Sequence, residues 1–340
     1  MHDAFFHKTI LVTGGLGFIG SNLAIALVKL GAKVTILDNL TPGQGGNLFN
    51  IAPIKDRVSV NYSDIRDALA VEQVVKDKEY IFHLARQTDH ILSLTDPFPD
   101  IDVNIRGTAI LLEACKKYNP SVRLIYAGTR GQYGKQVKLP VPEDAPTNPR
   151  GIYEITNLTA EKMVEVYHDV HGISSVCLRL TNIYGPRSQM KHNHYGVVNW
   201  FVRLALEGGT IPVFGDGKLK RDFLYIDDCV SAMLACAATR ACYGEVINVG
   251  NDRPETFTDL AKQIITIAKR GKWVYAPFSP ERAAQEPGDF TSDITKITRL
   301  TGWRPKTDLA GGLQKTIAYY RKYGKKYFIS HPGVQRRRHD

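Results

Sequence analysis

Between residues 8 and 38 the chain runs KTILVTGGLGFIGSNLAIALVKLGAKVTILD, and few folds accommodate that order of segments. KTILVT (8–13) is short, apolar and β-rich, which suits a buried strand. SNLAIALVKLG has apolar residues suited to a buried helix face and ends at Gly31, and AKVTILD (32–38) reads as a second strand ending in Asp38. Strand, glycine turn, helix and strand make one βαβ unit. Within the turn, Gly14, Gly17 and Gly20 are spaced G-x-x-G-x-x-G. Gly14 permits a tight turn, Gly17 lets the backbone approach a pyrophosphate, and Gly20 lets helix and strand pack closely. The helix N-terminus then offers unpaired N–H groups to phosphate. Asp38 stands 18 residues after Gly20. Its carboxylate would accept hydrogen bonds from a ribose diol and repel a 2′-phosphate, so NAD is expected rather than NADP.

The alternation continues. RVSVNYSD (57–64), EYIFHLA (79–85), VRLIYAG (122–128) and SSVCLRL (174–180) read as strands, with helices around 67–76, 102–118 and 151–171. Strands alternating with helices imply an α/β fold, a Rossmann-type doubly wound parallel sheet covered on both faces. Ligands bind beyond the carboxyl ends of such strands, here HLARQ (83–87), AGTRGQYG (127–134) and RLTNIYGPR (179–187).

Composition excludes several classes. No apolar run approaches the roughly 20 residues that span a bilayer, and MHDAFFHKTI lacks the pattern of a signal peptide, so a cytoplasmic protein without membrane contact is expected. The five cysteines form no C-x-x-C pair and sit mostly in apolar stretches, which reads as buried free thiols in a reducing compartment. No metal site is expected: His192 and His194 lack nearby carboxylates or cysteines. The net charge of +10 is scattered apart from the tail RRRHD (336–340), which fits a solvated surface or an anionic substrate better than nucleic acid.

The ordered motifs TGGLGFIG, LDNL, DIRD, HLA, VNIRGT, LRLTNIYGPR, FGDGKLKRDFLYIDD, INVG and LTGWRPKTDLAGGL, together with the tyrosine segment GIYEITNLTAEKM (151–163), carry a resemblance. The chain resembles an extended short-chain dehydrogenase/reductase of the NAD-dependent nucleotide-sugar epimerase/dehydratase group, similar to UDP-glucose 4-epimerases, from about Lys8 to about Tyr320. The resemblance implies an NAD-binding domain at 1–180, with 222–250 returning to it. It implies a smaller α/β substrate-binding domain at 181–221 and 251–330, followed by a basic tail at 331–340. By the same resemblance, Gly14, Gly17, Phe18, Ile19, Gly20, Asp38, Asn39, Asp64, Ile65, Leu84 and Ala85 would hold NAD. Thr129 and Tyr153 match the catalytic hydroxyl and phenol, and Asn182 and Arg221 match contacts to a nucleotide sugar. A homodimer through a four-helix bundle, built from the helices at 102–118 and 151–171, is also implied.

One position departs from the pattern. A lysine usually stands four residues after the tyrosine, and here that place holds Asn157. A free phenol near pKa 10 is ionised to about one part in a thousand at neutral pH, a gap of about 4 kcal/mol. A nearby ammonium normally closes part of it. Asn157 can hydrogen-bond the nicotinamide ribose but carries no charge, and Lys162 falls on roughly the opposite helix face. Arg86, after HLA, and Arg130, after Thr129, both project from strand ends. Either can supply the missing field together with the cationic nicotinamide, or grip a substrate phosphate or carboxylate.

The stretch after Thr129 reads RGQYG, without the acids that dehydratases and decarboxylases of this group usually carry, so epimerisation is favoured over elimination. Glu286 stands before PGD where arginine is frequent, with Arg282 four residues earlier as a further substrate contact. The expected protein is an NAD-dependent epimerase of a nucleotide-diphosphate sugar, most simply at C4 of a UDP-hexose or UDP-uronic acid. Its rivals are an NAD-binding sensor or scaffold without turnover, and a nucleotide-sugar oxidoreductase or dehydratase.

Overall fold

The computed structural model describes residues 2–192, 196–278, 283 and 286–328. Among the described residues twelve strands are formed: β1 Thr9–Thr13, β2 Lys33–Leu37, β3 Val58–Asn61, β4 Tyr80–His83, β5 Arg123–Thr129, β6 Ser174–Leu180, β7 Asn182–Tyr184, β8 Thr210–Phe214, β9 Lys220–Tyr225, β10 Val246–Val249, β11 Pro254–Thr256 and β12 Lys272–Ala276. Seven make one parallel sheet in the order β10-β6-β5-β4-β1-β2-β3. Its central strands are buried on both faces, which is why they read as unbroken apolar runs rather than alternating ones.

The helices that matter here are α1 Phe18–Lys29, α2 Ala68–Val75, α3 Gly107–Tyr118, α4 Ile152–His171, α5 Val197–Glu207, α6 Ile226–Ala238, α7 Phe257–Ala268, α8 Thr295–Thr301 and α9 Leu309–Tyr323. α2, α3 and α4 bury Val71, Leu111, Leu112, Ala160 and Val164 against one face of the sheet. α1 and α6 cover the other face, in a core that continues through Phe201, Leu260 and Leu313 into the smaller lobe. α3 is preceded by a wide π-type turn at Ile101–Arg106.

The strand order reverses between β1 and β4, whose residues pair in register up to Thr13↔His83. The crevice at such a switch point is where ligands bind in doubly wound sheets. After β6 the chain leaves for two small sheets, β11-β9-β7 and β12-β8. The segment 222–250 comes back only in part: α6 and β10 join the large sheet and its cover, whereas β9 pairs with β7 and β11. All five cysteines are buried and free. Among the described residues no helix is long and apolar enough to cross a membrane.

Candidate active site

A cavity of about 970 Å³ opens over the carboxyl ends of β1, β4, β5 and β6 and runs toward the small sheets. At its first end Gly14 adopts φ +68°, and a Cβ there would sit 2.9 Å from the Leu84 carbonyl and the Ala85 nitrogen. A Cβ on Gly20 would meet the Gly14 carbonyl at 2.3 Å. Only glycine fits either place, so the turn passes close under the strand ends and leaves room for a ligand above. α1 begins at Gly17 with no side-chain cap and no acidic residue in its first turn. Its amide end and positive dipole therefore face the cavity wall formed by Gly17, Phe18, Ile19 and Gly20.

Asp38 closes this end. Its carboxylate accepts from the backbone N–H groups of Leu16 and Leu40, both at 3.0 Å. Burial raises its pKa, and those two bonds offset part of the rise. Asp64 is taken up by Arg66, which donates from Nε and Nη2 at 2.8 Å each, and by Asn39 at 2.6 Å. The Arg66 bonds hold the Asp64 carboxyl below its usual range against the opposing effect of burial. Ile65, Leu84 and Ala85 complete the lining. These residues fit a dinucleotide: a glycine cradle for the pyrophosphate beside a carboxylate for the ribose diol.

Leu84 and Ala85 are placed by a buried imidazole. Both donate backbone N–H bonds to Thr13 Oγ1, at 3.1 and 3.0 Å, so the Thr13 proton goes to His83 Nδ1 at 2.9 Å. The Thr108 hydroxyl donates to the Asn104 carbonyl at 2.6 Å and accepts from His83 Nε2 at 3.0 Å. This network fixes a neutral imidazole protonated at Nε2. Burial, with the charge of Arg86 adding to it, lowers the His83 pKa to about 3.

At the middle of the cavity Tyr153, in the first turn of α4, lines the wall together with Thr129 at the end of β5. Burial raises the phenol to about 12; the Arg86 charge and the Thr129 hydroxyl pull the other way, while Glu154 and Asp100 push it up. The Tyr153 ring lies 4.2 Å from that of His90, whose Nδ1 pairs with Glu154 at 2.8 Å. Burial raises the Glu154 carboxyl, yet the hydrogen bond and charge of His90 outweigh it and hold the group below its usual range. Glu154 packs over Gly131: a Cβ on that glycine would lie 2.7 Å from the Glu154 Cγ. The sequence gives no sign of this, because residues adjacent on a helix point in different directions. The loop after β4 that carries Arg86 and His90 is pinned beneath by Gln87, whose side chain donates to Asp100 at 2.7 Å and whose backbone N–H donates to Asn104 Oδ1 at 3.0 Å.

Asn157 is not where the sequence reading puts it. It is fully buried and does not line the cavity. Its Nδ2 donates to the Tyr153 carbonyl at 2.7 Å, and its Oδ1 accepts from Arg86 Nη1. With both ends of the amide engaged inside the protein, the expected contact with the nicotinamide ribose is not available to it. Lys162 points outward and pairs with Glu165 at 2.7 Å, in keeping with its place on the far face.

The second end of the cavity is basic. Arg130 stacks 4.8 Å over Phe290, and burial, then the nearby Arg221 charge, lowers its pKa to about 10. Arg221 is almost wholly buried, donates to the Lys220 carbonyl at 2.8 Å and pairs with Glu286. Asn182 donates to the Asp222 carbonyl at 3.3 Å and also lines this end. Arg282 lies outside the described residues, as does His194. Among the described residues no group of three or more His, Cys, Asp or Glu is placed to hold a metal.

Comparison with known proteins agrees with this arrangement. Residues 10–250 match the model of the NAD dependent epimerase/dehydratase family. A UDP-glucose 4-epimerase of Mycolicibacterium smegmatis is 34% identical over 316 residues, covering 92% of this chain and 98% of the relative. A dTDP-glucose 4,6-dehydratase of Streptomyces niveus is 31% identical over 321 residues, covering 92% of each. The crystal structure of UDP-glucose 4-epimerase with UDP-glucose from Thermotoga maritima superposes with a TM-score of 0.85 at 34% identity, over 93% of this chain and 99% of that one. The glycine cradle, the Thr129–Tyr153 pair and these likenesses have one common meaning: the chain belongs to the NAD-dependent epimerase/dehydratase family of nucleotide-sugar enzymes, within the extended short-chain dehydrogenases/reductases.

Proposed function

We propose that the protein is an NAD-dependent epimerase of a nucleotide-diphosphate sugar, acting at C4 of a UDP-hexose or UDP-uronic acid through a transient keto sugar. The observation that carries this reading is that Thr129 and Tyr153 line one cavity between the glycine cradle and a basic pocket. Tyr153 removes the proton of the sugar hydroxyl and later returns it. Thr129 holds that hydroxyl in line. NAD, which Gly14, Gly17, Gly20 and Asp38 would hold, would supply the hydride acceptor and donor for the sugar carbon. Arg130 and Arg221 attract the diphosphate, with Glu286 already neutralising one of them and Asn182 beside them. The sugar has to turn over between the two transfers, and a cavity of about 970 Å³ leaves space for that. The five buried free thiols agree with a cytoplasmic setting.

A second reading is favoured by Glu154 and His90. They bring a carboxylate and an imidazole beside Tyr153, into space that Gly131 leaves open. Removal of a proton next to the keto carbon, followed by loss of a hydroxyl, needs such a pair. One experiment separates the two. The purified protein is denatured and any released dinucleotide identified; fresh protein is then incubated with a panel of sugar nucleotides, whose products are separated and weighed. A stereoisomer of unchanged mass supports epimerisation. Loss of one water supports elimination, and no conversion of any member supports a non-catalytic NAD-binding protein.

A further inference from the structure

Arg86 stands three residues beyond the end of β4. Its guanidinium lies 4.0 Å over the Tyr126 ring and donates from Nη1 to the Tyr126 hydroxyl at 2.7 Å and to Asn157 Oδ1. Its Nε and Nη2 are buried and have no hydrogen-bond partner. Among the described residues no carboxylate pairs with it. A cation so placed is costly, and any neighbour that can become an anion relieves the cost.

Two phenols answer to its charge: Tyr126, which it contacts, and Tyr153, which lines the same cavity. Tyr126 is fully buried, and its hydroxyl donates to the Asn157 carbonyl at 2.8 Å, so ionisation would break that bond in a place water does not reach. Tyr153 lines the open cavity together with Thr129. Tyr153 is therefore the phenol that can give up its proton. Asn157 suits this arrangement better than a lysine would. An ammonium at 157 would put a second cation against Arg86, whereas the amide offers an acceptor to the guanidinium and a donor to the helix carbonyl.

We propose that Arg86 is the positioning cation for proton transfer at Tyr153, standing in for an ammonium at position 157, and that Asn157 is the clamp holding it there. This rests on the reading of Tyr153 as the acid/base. The other titratable groups facing Tyr153 are His90, Glu154 and Asp100. The two carboxylates oppose ionisation, which leaves Arg86 as the favourable charge supplied by the protein. Arg130 belongs to the other end, with Arg221 and Phe290.

The test is an ultraviolet difference titration of the phenol in NAD⁺-loaded protein without sugar, with Tyr153→Phe as the blank. Arg86→Met is expected to raise the Tyr153 pKa by about 1 to 3 units. Arg86→Lys is expected to stay nearer the wild type, and adding Asn157→Lys to Arg86→Met to bring the titration back. If Arg86→Met folds and titrates like the wild type, the proposal is overturned. Where Arg86→Met does not fold, the Arg86→Met/Asn157→Lys protein decides: a wild-type-like titration supports the cation role, and one displaced upward by more than about 1 unit refutes it. Because no sugar is present, the result is independent of the reaction. A shifted titration in a protein that converts no sugar nucleotide would leave the cation role standing and remove the epimerase reading.

Discussion

His83 does more than fill the core. Its Nδ1 accepts the Thr13 hydroxyl hydrogen bond, and Thr13 in turn fixes the Leu84 and Ala85 amides at the cavity wall. Its folded pKa is about 3 against an ordinary value of 6.5. As the pH falls below 6.5 the unfolded chain therefore gains a proton that the folded one refuses, and stability is lost on the acid side. By pH 5 the loss from this group is about 2 kcal/mol. Urea unfolding at pH 8 and pH 5 should show that difference in the wild type and not in His83→Gln. Residue identity alone carried much of the site: Gly14, Gly17, Gly20, Asp38, Thr129 and Tyr153 all come to one cavity. What it could not carry was partnership. Asn157 reads as a ribose contact until the fold turns its amide toward Arg86, and the pairing of Glu154 with His90 has no signal in the sequence.

Among the elements, α4 presents Tyr153 at its first turn and is fastened to the sheet further along. Glu161 on α4 and Arg179 on β6 form a buried ion pair at 2.7 Å, and Arg179 also lies 4.5 Å from the centre of the Tyr133 ring. Removing one partner strands the other charge in the interior. Glu161→Ala is expected to cost about 3 to 5 kcal/mol in chemical denaturation, and a Glu161→Leu/Arg179→Met protein distinctly less than that single change. The central strands were readable because a parallel sheet buried on both faces demands continuous apolar runs, as in β1, β5 and β6. The pairing of β9 was not. KRDFLY has the composition of any strand, and its choice of β7 and β11 is made by chain segments far away in sequence.

For the molecule as a whole, α4 keeps an apolar stripe in solvent: Ile155, Val166 and Val170 are 44%, 52% and 68% exposed. We propose that a second copy covers it, α3 and α4 of each forming a four-helix bundle. Sedimentation velocity is expected to give a dimer for the wild type and a monomer for Val166→Glu/Val170→Glu, with a wild-type circular dichroism spectrum for both. In the proposed reaction proton transfer falls to one phenol, Tyr153, in the cavity wall. The turnover of Tyr153→Phe on whichever sugar nucleotide the wild type converts, with bound NAD measured in the same samples, tests this. Retained NAD and a fall in kcat of about 100-fold or more are expected. Conversion at the wild-type rate by the phenylalanine protein would contradict it.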